Sequence, residues 1–148
     1  MKRKILVGLG GIFVAGVVGL LVVARVFYPT NIAETAADQA DESLRTRHYR
    51  TDLKTFAAEA ARIVPTISTY GRNWRLAGSD AAENEVVVRA EVPVVVFTDD
   101  LRITARREPA GDGVVVDVHS NSRVGKSDFG ENRRHLRQLL DALDARFK

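Results

Sequence analysis

The sequence predicts an α+β protein with one N-terminal transmembrane helix, followed by a small antiparallel β-sheet of about 4–5 strands that two helices cover on one face. Three patterns lead to this prediction. A run without charged residues extends from Ile5 to Ala24. Apolar and polar residues alternate between turn residues from 70 to 119, as is typical of hairpin strands. Stretches with helical spacing of apolar residues precede and follow that region.

Residues 1–28 are predicted to form a transmembrane anchor. The run from Ile5 to Ala24 would make a helix about 30 Å long, which matches the hydrocarbon thickness of a bilayer. The cations Lys2–Lys4 precede the run, so the positive-inside rule predicts a cytoplasmic N-terminus. The expected location is therefore the inner (cytoplasmic) membrane, single-pass, with the C-terminal domain in the periplasm. The alternative is a cleaved signal peptide, whose cleavage site would follow Val22-Val23-Ala24.

Small residues recur every fourth position along the predicted anchor, at Gly11, Ala15 and Gly19. This spacing lets two helices in a membrane approach closely. It predicts pairing of the anchor with an integral membrane protein or with a second copy of the chain, and contact with membrane lipid elsewhere. The alternative is that Gly and Ala are simply common in membrane helices.

The rest of the chain divides into a linker and a folded unit. Residues 29–43 lack hydrophobic periodicity and are predicted to be a tether, and residues 44–148 one soluble α+β domain. Leu44–Tyr49 predicts the first strand. Further strands are expected at Tyr70–Ala77, Glu85–Val92, Leu101–Arg106 and Val114–His119, and Val94–Phe97 is expected to resume the second of these after the interruption at Pro93.

Both predicted helices of this domain have recognisable ends. The first is capped by Thr51 or Asp52 and ends at Pro65, which cannot continue a helix. The second begins at Asp128, with Glu131 three residues later in a capping-box arrangement. Each helix carries one apolar stripe, which we expect to face the sheet.

Charge and cysteine content exclude several classes of function. The net charge of +3 comes from the N-terminal segment, because residues 31–148 hold 18 of the 22 cations against all 19 acids. A nearly neutral domain gives no indication of nucleic-acid binding. The chain has no cysteine, so cysteine-based zinc sites and thiol nucleophiles are excluded. No cofactor or metal site is predicted.

Two polar clusters carry the most specific signal in the sequence. Phe97-Thr98-Asp99-Asp100 joins two predicted strands, and residues 122–134 (SRVGKSDFGENRR) lead into the last helix. These residues resemble the F-x-D-D and S-R-x-G-x-x-D-F-G-x-N-x-x-R signature of the domain of unknown function 1499 family. The resemblance extends over residues 44–147. It implies a small α+β domain of bacterial envelope and plastid proteins, without an established activity.

We expect the two clusters to form one site. Asp99 and Asp100 are adjacent on a strand, so one would face the Arg123 region and the other solvent. One interpretation is an ion-paired clasp between the last helix and the sheet; the other is an anion site for a phosphate or carboxylate at the helix N-terminus. The candidate residues for either role are Asp99, Asp100, Arg123, Gly125, Lys126, Asp128, Asn132 and Arg133.

No catalytic residue is assigned from the sequence. The leading hypothesis is a non-catalytic accessory or interaction subunit of an envelope or membrane complex. The alternative is a small-ligand or lipid-binding domain with a cleft near Arg123 and Asp128. A third hypothesis is a hydrolase-like enzyme that uses Asp99 and Asp100 close to His119.

Overall fold

The computed structural model describes residues 16–19, 22, 26, 30–109 and 111–148. The strands are β1 (Ile32–Glu34), β2 (Arg47–Tyr49), β3 (Ser68–Thr69), β4 (Arg72–Asn73), β5 (Arg75–Ala81), β6 (Glu85–Val94), β7 (Phe97–Arg107) and β8 (Val114–Ser122). The helices of the domain are α1 (Leu53–Ile63) and α2 (Glu131–Phe147), and short 3-10 turns span Glu42–Leu44 and Val64–Thr66.

A six-stranded antiparallel sheet forms the centre of the domain. Its order is β1-β8-β7-β6-β5, and β2 also pairs with β8, next to β1. Strands β3 and β4 form a separate two-stranded hairpin. The prediction of about 4–5 strands is therefore wrong. Strand β1 has only three residues, too few to give an alternating pattern, and it forms because the longer β8 offers it a partner.

The structure also differs from the predicted tether and from one predicted strand. Ile32–Glu34, within the predicted tether, is an edge strand of the sheet. The strand that was expected to resume at Val94–Phe97 is instead a turn, since Val94 ends β6 and pairs with Phe97, the first residue of β7.

The structure contradicts the predicted transmembrane helix and the single-pass inner-membrane location. Among the described residues, no helix is long and apolar enough to cross a membrane. The longest helix whose residues are all described is α2, which has 17 residues and many charged side chains, whereas a span needs about 20 mostly apolar residues. Most of the run Ile5–Ala24, including Gly11 and Ala15, lies outside the described residues; Gly19 is helical.

Both helices pack on the same face of the sheet and enclose the core. The inward residues of β6, β7 and β8 alternate with outward ones, as at Val88, Ile103 and Val116, each fully buried. Helix α1 contributes Phe56 and α2 a leucine stripe. Tyr49, Phe56 and Phe147 stack where the two helices meet, with ring centroids 5.1 to 6.2 Å apart. The core is closed, and the open surface lies at the end of the sheet beside the N-terminus of α2.

Candidate functional site

An open pocket of about 400 Å³ lies where β6 turns into β7 and where β8 leads into α2. Large apolar side chains, about half exposed, form its rim: Tyr70, Phe97, Val124 and Phe129. The polar side chains that line it are Asp99, Ser122, Ser127, Asp128 and Glu131.

The backbone around the rim is strained. Tyr70, Val95 and Phe129 adopt φ angles of 53°, 44° and 54°, and they are the non-glycine residues with positive φ in the described part of the chain. This region of backbone space is unfavourable for residues with a Cβ, most of all for a β-branched residue such as Val95. All three residues lie in the loops at this end of the sheet, so the strain is concentrated at the pocket.

Asp99 is the most deeply buried acidic side chain of the pocket. It points to the inner face of β7 and is only 2% exposed. Its Oδ2 has no hydrogen-bond partner and lies 3.6 Å from Nδ1 of His135. Burial raises the pKa of Asp99 to about 6; the Ser122 hydroxyl acts in the opposite direction, and the carboxylates of Asp128 and Glu131 raise the pKa further.

His135 lies behind Asp99 on α2 and is fully buried. Neither ring nitrogen has a hydrogen-bond partner, and Nε2 is 3.6 Å from Oε2 of Glu131. Burial lowers the pKa of His135 to about 4, so the ring is neutral at physiological pH. The edge of the imidazole meets Trp74, with ring centroids 5.9 Å apart. His135 cannot reach a ligand in the pocket, since its ring is covered on all sides.

Asp128 and Asn132 hold the N-terminus of α2 against the sheet. The carboxylate of Asp128 accepts hydrogen bonds from the backbone N–H groups of Gly130 (2.9 Å) and Asn132 (2.8 Å). The Asn132 amide donates to Asn31 O (2.7 Å), and its oxygen accepts from the Ser120 hydroxyl (2.5 Å). These bonds join the helix, β8 and the residue before β1.

Asp100 and Arg123 form an ion pair on the opposite, outer face of the sheet. Arg123 donates from Nε to both carboxylate oxygens of Asp100, at 3.0 and 3.1 Å, and from a terminal nitrogen to Glu91 at 2.8 Å. These contacts raise the pKa of Arg123 further above its ordinary value, mainly through the hydrogen bond to Asp100. His119 also lies on this outer face, opposite Arg102, and not with Asp99.

The structure therefore separates the candidate residues into groups. Arg123 and Asp100 lie on one face, and Asp99, Gly125 and Asp128 line the pocket on the other. Asp99 is buried, whereas we expected the aspartate that does not face Arg123 to be in solvent.

Three of the candidate residues belong to neither group. Asn132 is fully buried and makes the hydrogen bonds at the start of α2 described above. Lys126 and Arg133 are exposed, and neither side chain lines the pocket. The structure therefore does not bring them together with the buried carboxylate of Asp99.

Sequence reasoning missed His135 and the aromatic rim. A signal for His135 was present, because Asn132, His135, Leu136 and Leu139 follow helical spacing on the buried face of α2. Tyr70 and Phe129 had no such signal, since each lies in a loop.

Comparisons with known proteins give a family but no activity. The family model described as "Protein of unknown function (DUF1499)" matches residues 26–143. No curated protein matches the chain. Two solved structures are weakly similar. The Ran-binding protein Mog1p of Saccharomyces cerevisiae is 13% identical, with coverage of 80% of this chain and 78% of that one, at a TM-score of 0.38. TTHA0849 of Thermus thermophilus is 11% identical, with coverage of 68% and 92%, at 0.33. Both scores are too low to support a conclusion about this chain.

Proposed function

The chain belongs to the DUF1499 family of proteins of unknown function. From the geometry of the pocket at the N-terminus of α2, we propose that this is a non-catalytic domain that binds a small, largely apolar molecule there. The observation that supports this proposal is the apolar rim around a concave surface, formed by the half-exposed side chains of Tyr70, Phe97, Val124 and Phe129. A volume of about 400 Å³ lies within the range of known small-molecule sites.

A comparison with another hollow supports this choice. The hollow between α1 and β5–β6 has a similar volume of about 360 Å³. Among its described lining residues there is no aromatic side chain and no buried polar atom without a partner. The pocket at α2 has both features, which together give affinity and orientation to a bound molecule.

The chemistry of the pocket favours binding over catalysis. His135 is fully buried and unable to touch a ligand. The Ser127 hydroxyl has no hydrogen-bond partner in the described structure, so no base is placed to activate it. Asp100 is paired with Arg123 on the other face, which separates the two aspartates that a hydrolase mechanism would combine.

Titration of the purified full chain with the neutral fluorescent probe N-phenyl-naphthylamine tests the proposal. We expect saturable binding of one probe per chain. Phe97→Ala removes a rim side chain and should weaken binding about tenfold or more, because it removes a large apolar contact. Val96→Ala is the matched control: Val96 belongs to the same turn, is 79% exposed and does not line the pocket. Absence of saturable binding, or an equal effect of both variants, would contradict the proposal.

A second candidate is association of two copies of the chain through this end of the domain. The observation that favours it is the apolar turn Val95-Val96, whose side chains are 62% and 79% exposed beside the rim. Sedimentation equilibrium of the wild type and of Val96→Asp tests it. A wild-type dimer that the variant converts to a monomer supports association, and a wild type that is monomeric at all concentrations refutes it.

A further inference from the structure

The charge of the pocket indicates which class of apolar molecule it accepts. Three carboxylates line it, from Asp99, Asp128 and Glu131, and none of its described lining residues is a lysine, arginine or histidine. An anion, such as the phosphate or carboxylate that the helix N-terminus suggested, would meet like charges here. The lining favours a cation.

Two of the three carboxylates already have hydrogen-bond donors. Asp128 accepts from the backbone at the start of α2. Glu131 accepts from the Tyr70 hydroxyl at 2.9 Å and pairs with Arg134, whose guanidinium also lies over the Tyr70 ring. The carboxylates of Asp128 and Glu131 thus already have hydrogen-bond donors within the protein.

Asp99 differs from these two. It is 98% buried, since only 2% of its surface is exposed, and its Oδ2 has no hydrogen-bond partner. The Ser127 Oγ, also at the pocket, is buried and without a partner in the described structure. Buried polar atoms are nearly always paired with protein or water, so two such atoms at one pocket point to a missing donor.

No described side chain near Asp99 supplies a counter-charge. His135 faces it from α2 but is held neutral by burial, which lowers its pKa to about 4. Arg134 is engaged with Glu131, and Arg123 with Asp100 on the opposite face of the sheet. A buried carboxylate without a cation is unfavourable, and a cationic ligand would compensate it.

We infer that the molecule bound in this pocket carries a protonated amine on an apolar body, with the ammonium donating to the Asp99 carboxylate and to the Ser127 hydroxyl, and the body packing against the rim. This inference rests on the proposed function and adds the chemical class of the ligand. An ammonium group has three donors and no acceptor, which suits one carboxylate oxygen and one hydroxyl oxygen.

A matched series of ligands tests the inference on the full chain at pH 7.5: 2-phenylethylamine, 2-phenylethanol and phenylacetate, measured by displacement of N-phenyl-naphthylamine. The three have the same aromatic body and differ in the charge of the end group. Because a charge-assisted hydrogen bond is about twice as strong as a neutral one, we expect the amine to bind about tenfold more tightly than the alcohol, and phenylacetate most weakly.

Two variants locate the effect. Asp99→Asn removes the charge and should bring the affinities for amine and alcohol within about twofold of each other. Asp100→Asn is the control, since Asp100 lies on the outer face, and it should leave the ratio unchanged. An amine that binds no more tightly than the alcohol overturns the inference while the proposed function stands. Failure of the probe and of all three ligands to bind overturns both.

A measurement on the wild type alone covers the case in which Asp99→Asn does not fold. Protonation of Asp99, whose pKa is about 6, removes the partner of the ammonium. Affinity for the amine should therefore fall about tenfold between pH 7.5 and 5, and affinity for the alcohol should not. The titratable groups around Asp99 are Glu131 and His135 from α2, Asp128 from the preceding loop and Asp100, its neighbour on β7. Equal pH dependence for amine and alcohol contradicts the inference.

Discussion

Replacement of Asp99 by asparagine is expected to stabilise the fold at neutral pH. Burial raises the pKa of Asp99 from 3.8 to about 6, which means that the folded state holds this proton more tightly than the unfolded chain does. The folded state therefore loses stability as the pH rises from about 4 to 6, and the full loss, about 3 kcal/mol, is present above pH 6. Asparagine has nearly the same size and no charge to desolvate. The free energy of unfolding of Asp99→Asn should exceed that of the wild type by about 2–3 kcal/mol at pH 8 and equal it below pH 4.

Urea denaturation of the full chain at pH 4, 6 and 8 measures this difference, with the fluorescence of Trp74, the single tryptophan of the sequence, as the signal. Asp100→Asn is the control: it breaks an exposed ion pair and should lower stability by less than about 1 kcal/mol. An Asp99→Asn variant that is less stable than the wild type at pH 8 would refute the reasoning, because it would show that favourable interactions of the carboxylate, such as that with the Ser122 hydroxyl, outweigh the cost of its burial.

Three further substitutions test the surroundings of the pocket. Burial lowers the pKa of His135 from 6.5 to about 4, so the free energy of unfolding of the wild type should fall by about 3 kcal/mol as the pH falls from 6.5 to 4. His135→Gln should not show this fall, and the same denaturation series measures it. Asn132→Ala should lower the free energy of unfolding by about 3 kcal/mol in chemical denaturation, since it removes several buried hydrogen bonds worth about 1 kcal/mol each. Val95→Gly should raise the free energy of unfolding by about 0.5–1 kcal/mol, seen as a higher Tm, because glycine tolerates a positive φ; Val96→Gly, where φ is not positive, should lower it.

The sequence predicts the long elements of this fold and misses the short ones. Strands β6 and β8 show clear alternation, and α1 and α2 have apolar stripes, so local pattern alone identifies them. The cap of α1 at Asp52 is confirmed, but the capping box predicted at Asp128 is wrong, because α2 begins at Glu131 and Gly130 is its N-cap. The turn between β6 and β7 was missed for a physical reason. Val95 and Val96 occupy it, and valine is a typical strand residue, whereas a turn with positive φ is normally signalled by glycine or asparagine. Only the pairing of Val94 with Phe97 in the folded sheet determines that the chain reverses there.

Of the site, the sequence predicts only how neighbouring residues of one strand are arranged. Alternation places Asp99 and Asp100 on opposite faces of β7, and that follows from the sequence. Which aspartate is buried depends on the face that α1 and α2 cover, and this is a property of the tertiary structure. The approach of His135 to Asp99 likewise depends on how α2 lies across β7 and β8. The roles of Asp99, Arg123, Asp128 and the other candidate residues in binding stay predictions.

Two separate costs to stability coincide at this end of the domain. The buried side-chain atoms without a hydrogen-bond partner in the described chain belong to Asp99, Ser127, Arg134, His135 and Gln138, at α2, the loop before it and the adjoining β7. The residues with positive φ, Tyr70, Val95 and Phe129, lie in the loops beside them. Elsewhere in the part of the chain that the structure describes, the buried polar side chains are paired, so the chain is able to fold without such costs. Folding alone gives no reason to keep a buried carboxylate, one oxygen of which has no hydrogen-bond partner, next to a strained, apolar rim. A ligand that pairs with the carboxylate and covers the rim would recover part of both costs on binding, and this is why we assign function to the pocket and not to the Asp100–Arg123 ion pair.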